Sequence, residues 1–249
     1  MNEKIPRVLI GCPTCVLKAD SLDKYLKGLA ALTYPAFDVV LEDNSPTEEY
    51  AHLLRQKAKE WEHARPGKSF RIIYSGQTSP YARARLVNGR NKIRDIALHE
   101  KYDYFLSLEQ DIVPPADVIE RLLRHQRLCI SGAYLNQQYS TDGTRNIIVV
   151  GGVFDNEEDR KKGLVRHLGV GDLFPARVLP VAYTGLGCML ISTQALEKLP
   201  FRYENKNAAC DDVYFCMDLQ KEGIPTLMDT GTLAAHFYND AFVKVKDHF

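Results

Sequence analysis

Two carboxylates stand one residue apart in Glu109-Gln110-Asp111, at the end of an apolar run and ahead of Pro114-Pro115. On an extended segment the side chains at i and i+2 point the same way, so Glu109 and Asp111 project together past a strand end. Two such groups repel each other unless a cation sits between them. Hard oxygen ligands suit Mg²⁺ or Mn²⁺, ions that bind through one or two carboxylates and leave positions for substrate phosphates. A metal bridging a diphosphate is the chemistry this pair implies, although a solvated acidic strand end has the same pattern. A second acidic pair, Asp211-Asp212, opens a helical pattern whose apolar stripe is Phe215, Cys216 and Leu219. Counting back by three and four residues puts Asp212 on that stripe and turns Asp211 elsewhere. An inward carboxylate there suits a general base that takes a proton from a hydroxyl. Capping and the helix dipole also favour Asp at a helix start. His236, after the small-residue run Gly231 to Ala235, offers an imidazole to complete a coordination sphere begun by carboxylates.

Two further features are weaker. Gly185 and Gly187 bracket one residue before a strand-like run, and a missing Cβ lets a ligand approach the backbone. No helix follows directly, so this is not a dinucleotide-binding fingerprint. Cys12 and Cys15 have the spacing of a redox dithiol or half a zinc site. No second pair completes a zinc site, and small residues at a strand end explain the spacing better.

The elements that must position these residues alternate. Arg7 to Ile10, Phe37 to Leu41, Phe70 to Tyr74 and Asp103 to Leu108 read as strands. Between them, Ser21 to Leu32, with Ser21 as N-cap, Thr47 to Glu62 and Ala82 to Leu98 read as helices. Such alternation predicts a mostly parallel sheet with helices on both faces, whose ligands bind beyond the carboxyl ends of the strands. Pro13-Thr14, Glu42-Asp43-Asn44, Ser75-Gly76 and Glu109-Gln110-Asp111 follow those strands. Asn136 to Arg177 is rich in Gly, Asp and Asn, contains the strand-like Ile147 to Val150, and reads as an irregular insertion or β-hairpin beside the site. Cys188 to Ile191 and Thr226 to Met228 then read as strands, Thr193 to Leu199 and Asp211 to Glu222 as helices, the latter closed by Gly223.

The 32 basic and 32 acidic residues cancel, which gives no electrostatic reason to expect nucleic acid as a partner. No apolar h-region follows Met1 to Pro6 and no apolar run reaches membrane-spanning length, so a cytoplasmic protein with reduced cysteines is expected.

Taken in order, these segments resemble the GT-A glycosyltransferases, nucleotide-diphospho-sugar transferase-like α/β enzymes, and in particular glycosyltransferase family 2. The resemblance covers nearly the whole chain. It implies one domain over residues 1–249, with a nucleotide-binding half at 1–111 and an acceptor-binding half at 112–249 that carries the insertion 136–177. Leu9 to Thr14 resembles the first strand and loop, so Pro13 and Thr14 would cradle the donor's base. Asp43 takes the place of the nucleoside-binding carboxylate. Arg90-Asn91 resembles the segment that helps hold the donor. Glu109-Gln110-Asp111 resembles the D-x-D motif with Glu for the first Asp, so Asp111 is the surer metal ligand, with Glu109 and His236 beside it. Asp212 inherits the role of base, and Gly185 and Gly187 match glycines lining the sugar and acceptor pocket. The implied reaction is metal-dependent, inverting transfer from a UDP- or GDP-sugar to an acceptor hydroxyl, with Mn²⁺ or Mg²⁺ as cofactor. Two rivals stand beside it. A nucleotidyltransferase that makes the nucleotide sugar needs a glycine-rich loop with a basic residue after the first strand, where this chain has Gly11 alone. A non-catalytic nucleotide- or sugar-binding module would use the same scaffold.

Overall fold

The first seven regular elements are β1 (Val8–Thr14), α1 (Leu22–Ala31), β2 (Phe37–Asp43), α2 (Glu49–His63), β3 (Phe70–Tyr74), α3 (Ala82–His99) and β4 (Tyr104–Leu108). They belong to a computed structural model that describes residues 5–139, 143–204, 210–238 and 241–243. Met1 to Lys4 and 140–142 of the expected insertion lie outside the described residues. β1 pairs in parallel with β2 and β4, and β2 with β3. Every residue of β1 is buried. A strand covered on both faces has no polar side to show, which is why Val8-Leu9-Ile10 is an unbroken apolar run. Val8, Ile10 and Cys12 pack into one core with Tyr25 and Leu29 of α1 and Trp61 of α2. Leu9 points to the opposite core, with Ile93 and Ala97 of α3. Gly11 permits the close approach of β1 to β2, since a Cβ there would lie 2.5 Å from the Val40 carbonyl oxygen.

Past β4 the chain adds β5 (Ile112–Val113), α4 (Val118–Leu123), β6 (Cys129–Tyr139), β7 (Arg145–Val149), β8 (Gly151–Val153), α5 (Glu157–Lys162), β9 (Arg166–His167), β10 (Val178–Pro180), β11 (Tyr183–Thr184), β12 (Cys188–Ser192), α6 (Thr193–Lys198), α7 (Asp211–Lys221), β13 (Leu227–Tyr238) and β14 (Ala241–Val243). The main sheet runs β10-β13-β6-β12-β4-β1-β2-β3, with β5 and β14 on β13 and β7 on β6. β12 enters antiparallel to both β4 and β6, and β13 lies parallel to β6. The sheet is thus mixed and mostly parallel, with helices packed on it. Among the described residues no helix is long and apolar enough to cross a membrane.

Two expectations shift and one open choice is settled in part. Ser21 does not cap α1 with its side chain; a 3₁₀ turn, Val16–Ser21, runs straight into the helix and the Ser21 hydroxyl donates to the Lys18 carbonyl at 2.7 Å. Of the two readings of the segment from Asn136, the hairpin describes its start, where Asn136 pairs with Ile148 in β6–β7, while β8, β9 and β11 form a separate three-stranded sheet. The segment read as a short strand at Thr226 to Met228 is the start of the long strand β13. Its register against β6 shifts between Asp229 and Leu233. Asp229 holds that irregularity by accepting from the Gly231 amide at 3.0 Å, the Thr232 hydroxyl at 2.9 Å and, in a His–carboxylate contact of 3.0 Å, from His125. Past the bend β13 picks up β5, with His236 opposite Ile112.

Candidate active site

The Glu109-Gln110-Asp111 segment leaves β4 in a turn closed by the Ile112 amide on the Glu109 carbonyl at 2.9 Å. The segment is thus a turn and not the extended run expected, although the two carboxylates still meet. Gln110 points into the core, where its Oε1 accepts from Thr14 Oγ1 at 2.5 Å and its Nε2 donates to the Lys18 carbonyl at 2.7 Å. Glu109 and Asp111 face the other way and share a cluster of cations. Arg90 Nη2 lies 2.6 Å from Glu109 Oε1, and Lys18 Nζ lies 2.8 Å from Asp111 Oδ2 and 3.5 Å from Glu109 Oε2. Burial works against the charge on both carboxyls, but Lys18 and Arg90 at Glu109, and His236 and Lys18 at Asp111, hold both below the usual carboxylate range.

β13 delivers His236 to the same place. The Phe237 amide donates to the Asp111 carbonyl at 2.7 Å, and His236 Nε2 stands 3.7 Å from Asp111 Oδ2. Its Nδ1 is 2.8 Å from the Leu135 carbonyl. A carbonyl only accepts, so Nδ1 carries the proton and, in the neutral ring, Nε2 presents its lone pair towards Asp111. Burial alone would favour that neutral ring, but the Asp111 carboxylate outweighs it and raises the His236 pKa.

Arg90 links this cluster to the second acidic pair. Its guanidinium, 2% exposed, reaches Asp211 Oδ2 at 2.7 Å, the Ser107 hydroxyl at 2.9 Å and Glu109. The stripe count is corrected here: Asp211, expected to turn away, is the buried member because Arg90 on α3 draws it in. Asp212 is half-buried. Its carboxyl is pushed up to about 6 by burial and then by the neighbouring Asp211 charge. Such a value suits a group that must be ionised near neutrality yet still take a proton.

The remaining candidates are placed as follows. Asp43 is buried at the end of β2, its Oδ1 accepting from the Ser45 amide at 3.0 Å and hydroxyl at 2.5 Å, while its Oδ2 has no hydrogen-bond partner. Pro13 is buried in β1, packed against Gly89 of α3. Thr14 is committed to Gln110. Asn91 is committed to both backbone groups of Phe201, each at 2.9 Å, and Arg90 to the carboxylates, so these two residues position other parts of the chain. Gly185 and Gly187 make room for the ring of Tyr134, a buried residue the sequence did not mark. A Cβ on Gly187 would lie 2.7 Å from Tyr134 Cζ, and the Gly187 amide donates to the Tyr134 hydroxyl at 3.2 Å. That ring stands edge-on to His236, with centroids 5.7 Å apart. Gly187→Ala is therefore expected to cost about 1–3 kcal/mol, read from chemical denaturation, as overpacking forces the ring to shift. Lys18 and Tyr134 left no local signal, because only long-range folding brings them to the carboxylates. Cys12 is a free buried thiol pushed up to about 12 by burial, the opposite of an activated redox cysteine.

Among the described residues no three His, Cys, Asp or Glu side chains are arranged as a ready metal cage. Glu109 is turned to Arg90 and Lys18. The donor chemistry nevertheless fits a hard divalent ion at one point: Asp111 Oδ1 is buried without a hydrogen-bond partner, and His236 Nε2, a lone-pair donor once the ring gives up its proton to make way for the ion, stands beside the same carboxyl. A cleft of about 430 Å³ is lined by Tyr81, Ala82, Arg83, Tyr203 and Glu204, of which Arg83 interacts with Cys210, the residue before the Asp211-Asp212 pair.

No protein-family model matches the chain, and no curated protein matches it. Solved structures do. GalNAc-T7, crystallised with UDP, GalNAc and Mn²⁺, superposes with a TM-score of 0.61 at 12% identity, over 95% of this chain and 45% of that one. The mannosyltransferase PcManGT from Pyrobaculum calidifontis, in complex with GDP-Man and Mn²⁺, superposes with a TM-score of 0.54 at 14% identity, over 93% of this chain and 57% of that one. The chain has the GT-A glycosyltransferase fold and spans about half the length of these two proteins.

Proposed function

We propose that the chain transfers a sugar from a UDP- or GDP-sugar to an acceptor hydroxyl, using Mn²⁺ or Mg²⁺ held at Asp111 and His236 with Glu109 within reach. The observation that carries this reading is the Arg90 bridge from Glu109 to Asp211, which ties the cluster to the start of the helix where the adjacent Asp212 has a raised pKa, on a scaffold shared with nucleotide-sugar transferases. Asp43, buried with one free oxygen at the end of β2, suits the donor's nucleoside. When bound, the divalent ion would neutralise charge gathering on the leaving diphosphate. Asp212 removes the acceptor proton as the new bond forms at the anomeric carbon and the bond to the nucleotide oxygen breaks, so the configuration inverts and a nucleoside diphosphate departs. Arg90 helps keep Glu109 ionised and holds Asp211 in place. The cleft lined by Arg83 is where the acceptor would approach. On this reading the residues up to Asp111 supply the nucleoside contact and those beyond it the base, while the metal and the acceptor cleft draw on both halves.

Thermal unfolding with UDP or GDP, with and without Mn²⁺, tests the donor: one nucleotide should raise Tm, and more so with the ion. Asp111→Asn should lower Mn²⁺-stimulated donor turnover by about a hundredfold or more. Unchanged metal-stimulated turnover in that variant would overturn the metal assignment, and nucleotide binding with no turnover in the parent would leave the binding-module reading.

A further inference from the structure

The positive charge between Glu109 and Asp111 is a side chain of this chain. Lys18 Nζ contacts Asp111 Oδ2 at 2.8 Å and Glu109 Oε2 at 3.5 Å, and thereby stands between the two carboxylates that the proposed function gives to a divalent ion. Its backbone is anchored from several sides. The Lys18 carbonyl accepts from Gln110 Nε2 and from the Ser21 hydroxyl, each at 2.7 Å, its amide donates to the Cys15 carbonyl at 2.9 Å, and the Val16 amide donates to Ser45 Oγ at 2.8 Å. The side chain is freer: it is 29% exposed and carries a flexible four-carbon stem. Gln110 therefore does two things at once. It separates the two acidic side chains in sequence and, on the other face, fixes the turn that aims a lysine back at them.

We infer that Lys18 is a component of the donor site, an ammonium that neutralises Glu109 and Asp111 in the free protein and moves onto the donor's diphosphate when a divalent ion takes its place. This rests on the proposed function above. An ammonium and a divalent ion within about 4 Å repel strongly even at a surface-like dielectric, so the two cannot share the carboxylates. A displaced lysine on an anchored turn stays within one side-chain length of the ion, where phosphate oxygens would lie, and lysine binds phosphate as a point charge. The protein's own cation thus competes with the metal before the donor arrives and assists the donor afterwards.

The test compares the parent with Lys18→Met, which keeps the apolar stem, and Lys18→Arg, which keeps the charge. Mn²⁺ binding without nucleotide is followed by electron paramagnetic resonance, and binding of inorganic pyrophosphate in the presence of saturating Mn²⁺ by calorimetry. Lys18→Met should bind Mn²⁺ about tenfold or more tightly than the parent and pyrophosphate about tenfold more weakly, while Lys18→Arg stays near the parent in both. A purely structural lysine would not move the two affinities in opposite directions. If the parent binds both probes and Lys18→Met binds them equally well, this inference fails and the metal assignment stands. If the parent binds neither, the metal assignment itself fails and takes the inference with it.

Discussion

Asp212→Asn is expected to bind the donor nucleotide as the parent does and to transfer sugar on the order of 10²–10⁴-fold more slowly, the usual contribution of a positioned general base. The measurement is kcat for transfer beside the nucleotide Kd. Loss of both together would point to a structural role. Parent activity should rise with pH through about 6, where the Asp212 carboxyl ionises, and that acid limb should vanish from the residual activity of the variant. A stability change of opposite sense accompanies the loss. The folded carboxyl has a higher pKa than the ordinary 3.8, so folding favours the proton, and ionising Asp212 costs stability progressively between pH 4 and pH 6. Above pH 6 that cost is fully present. The asparagine variant should therefore be more stable than the parent at pH 7–8, by on the order of 1–3 kcal/mol, and no more stable below about pH 4. A variant that is slower yet harder to unfold is what a strained, functional carboxyl predicts.

The second large effect belongs to Arg90. Arg90→Met should lower stability by about 3–5 kcal/mol at neutral pH, because it leaves the buried Asp211 and the partly buried Glu109 without their partner. For a chain of this size that amounts to a fall in Tm of roughly 10 °C. Adding Asp211→Asn to Arg90→Met should restore part of it, since a neutral amide no longer demands a counter-charge. An unchanged Tm in the single variant would show that the bridge contributes little.

The parallel half of the fold is legible in the sequence because short strands covered by helices are written as short, mainly apolar runs, and the four runs ending at Ile10, Leu41, Tyr74 and Leu108 each became a strand. Of these, β1, β2 and β4 are largely buried and the edge strand β3 only partly. Glu109 and Asp111 also meet as expected, but through a turn beyond β4 and not through the alternation of an extended strand. What escaped is non-local. Asp211 and Asp212 have the same side chain at adjacent positions, and only Arg90, far earlier in the chain, decides which is buried. The two glycines looked like a surface for a ligand, yet the space above them is taken by Tyr134 from β6. Only the first residues of β13 read as strand, because Asp229-Thr230-Gly231-Thr232 interrupts the apolar run, and those polar groups are satisfied within the strand's own bend.

That bend also settles which way the imidazole looks. Gly132 and Ala133 are neighbours on β6, whereas their partners Asp229 and Leu233 are separated by Thr230, Gly231 and Thr232, an odd number of extra residues. Side chains alternate with a period of two, so an odd surplus exchanges the two faces of everything downstream. Were β13 drawn straight against β6, the face now presented at His236 would belong to its neighbour, and the imidazole would look away from Asp111. A kink secured by one aspartate and a histidine at the far end of the strand is thus a parity switch fixed in one position.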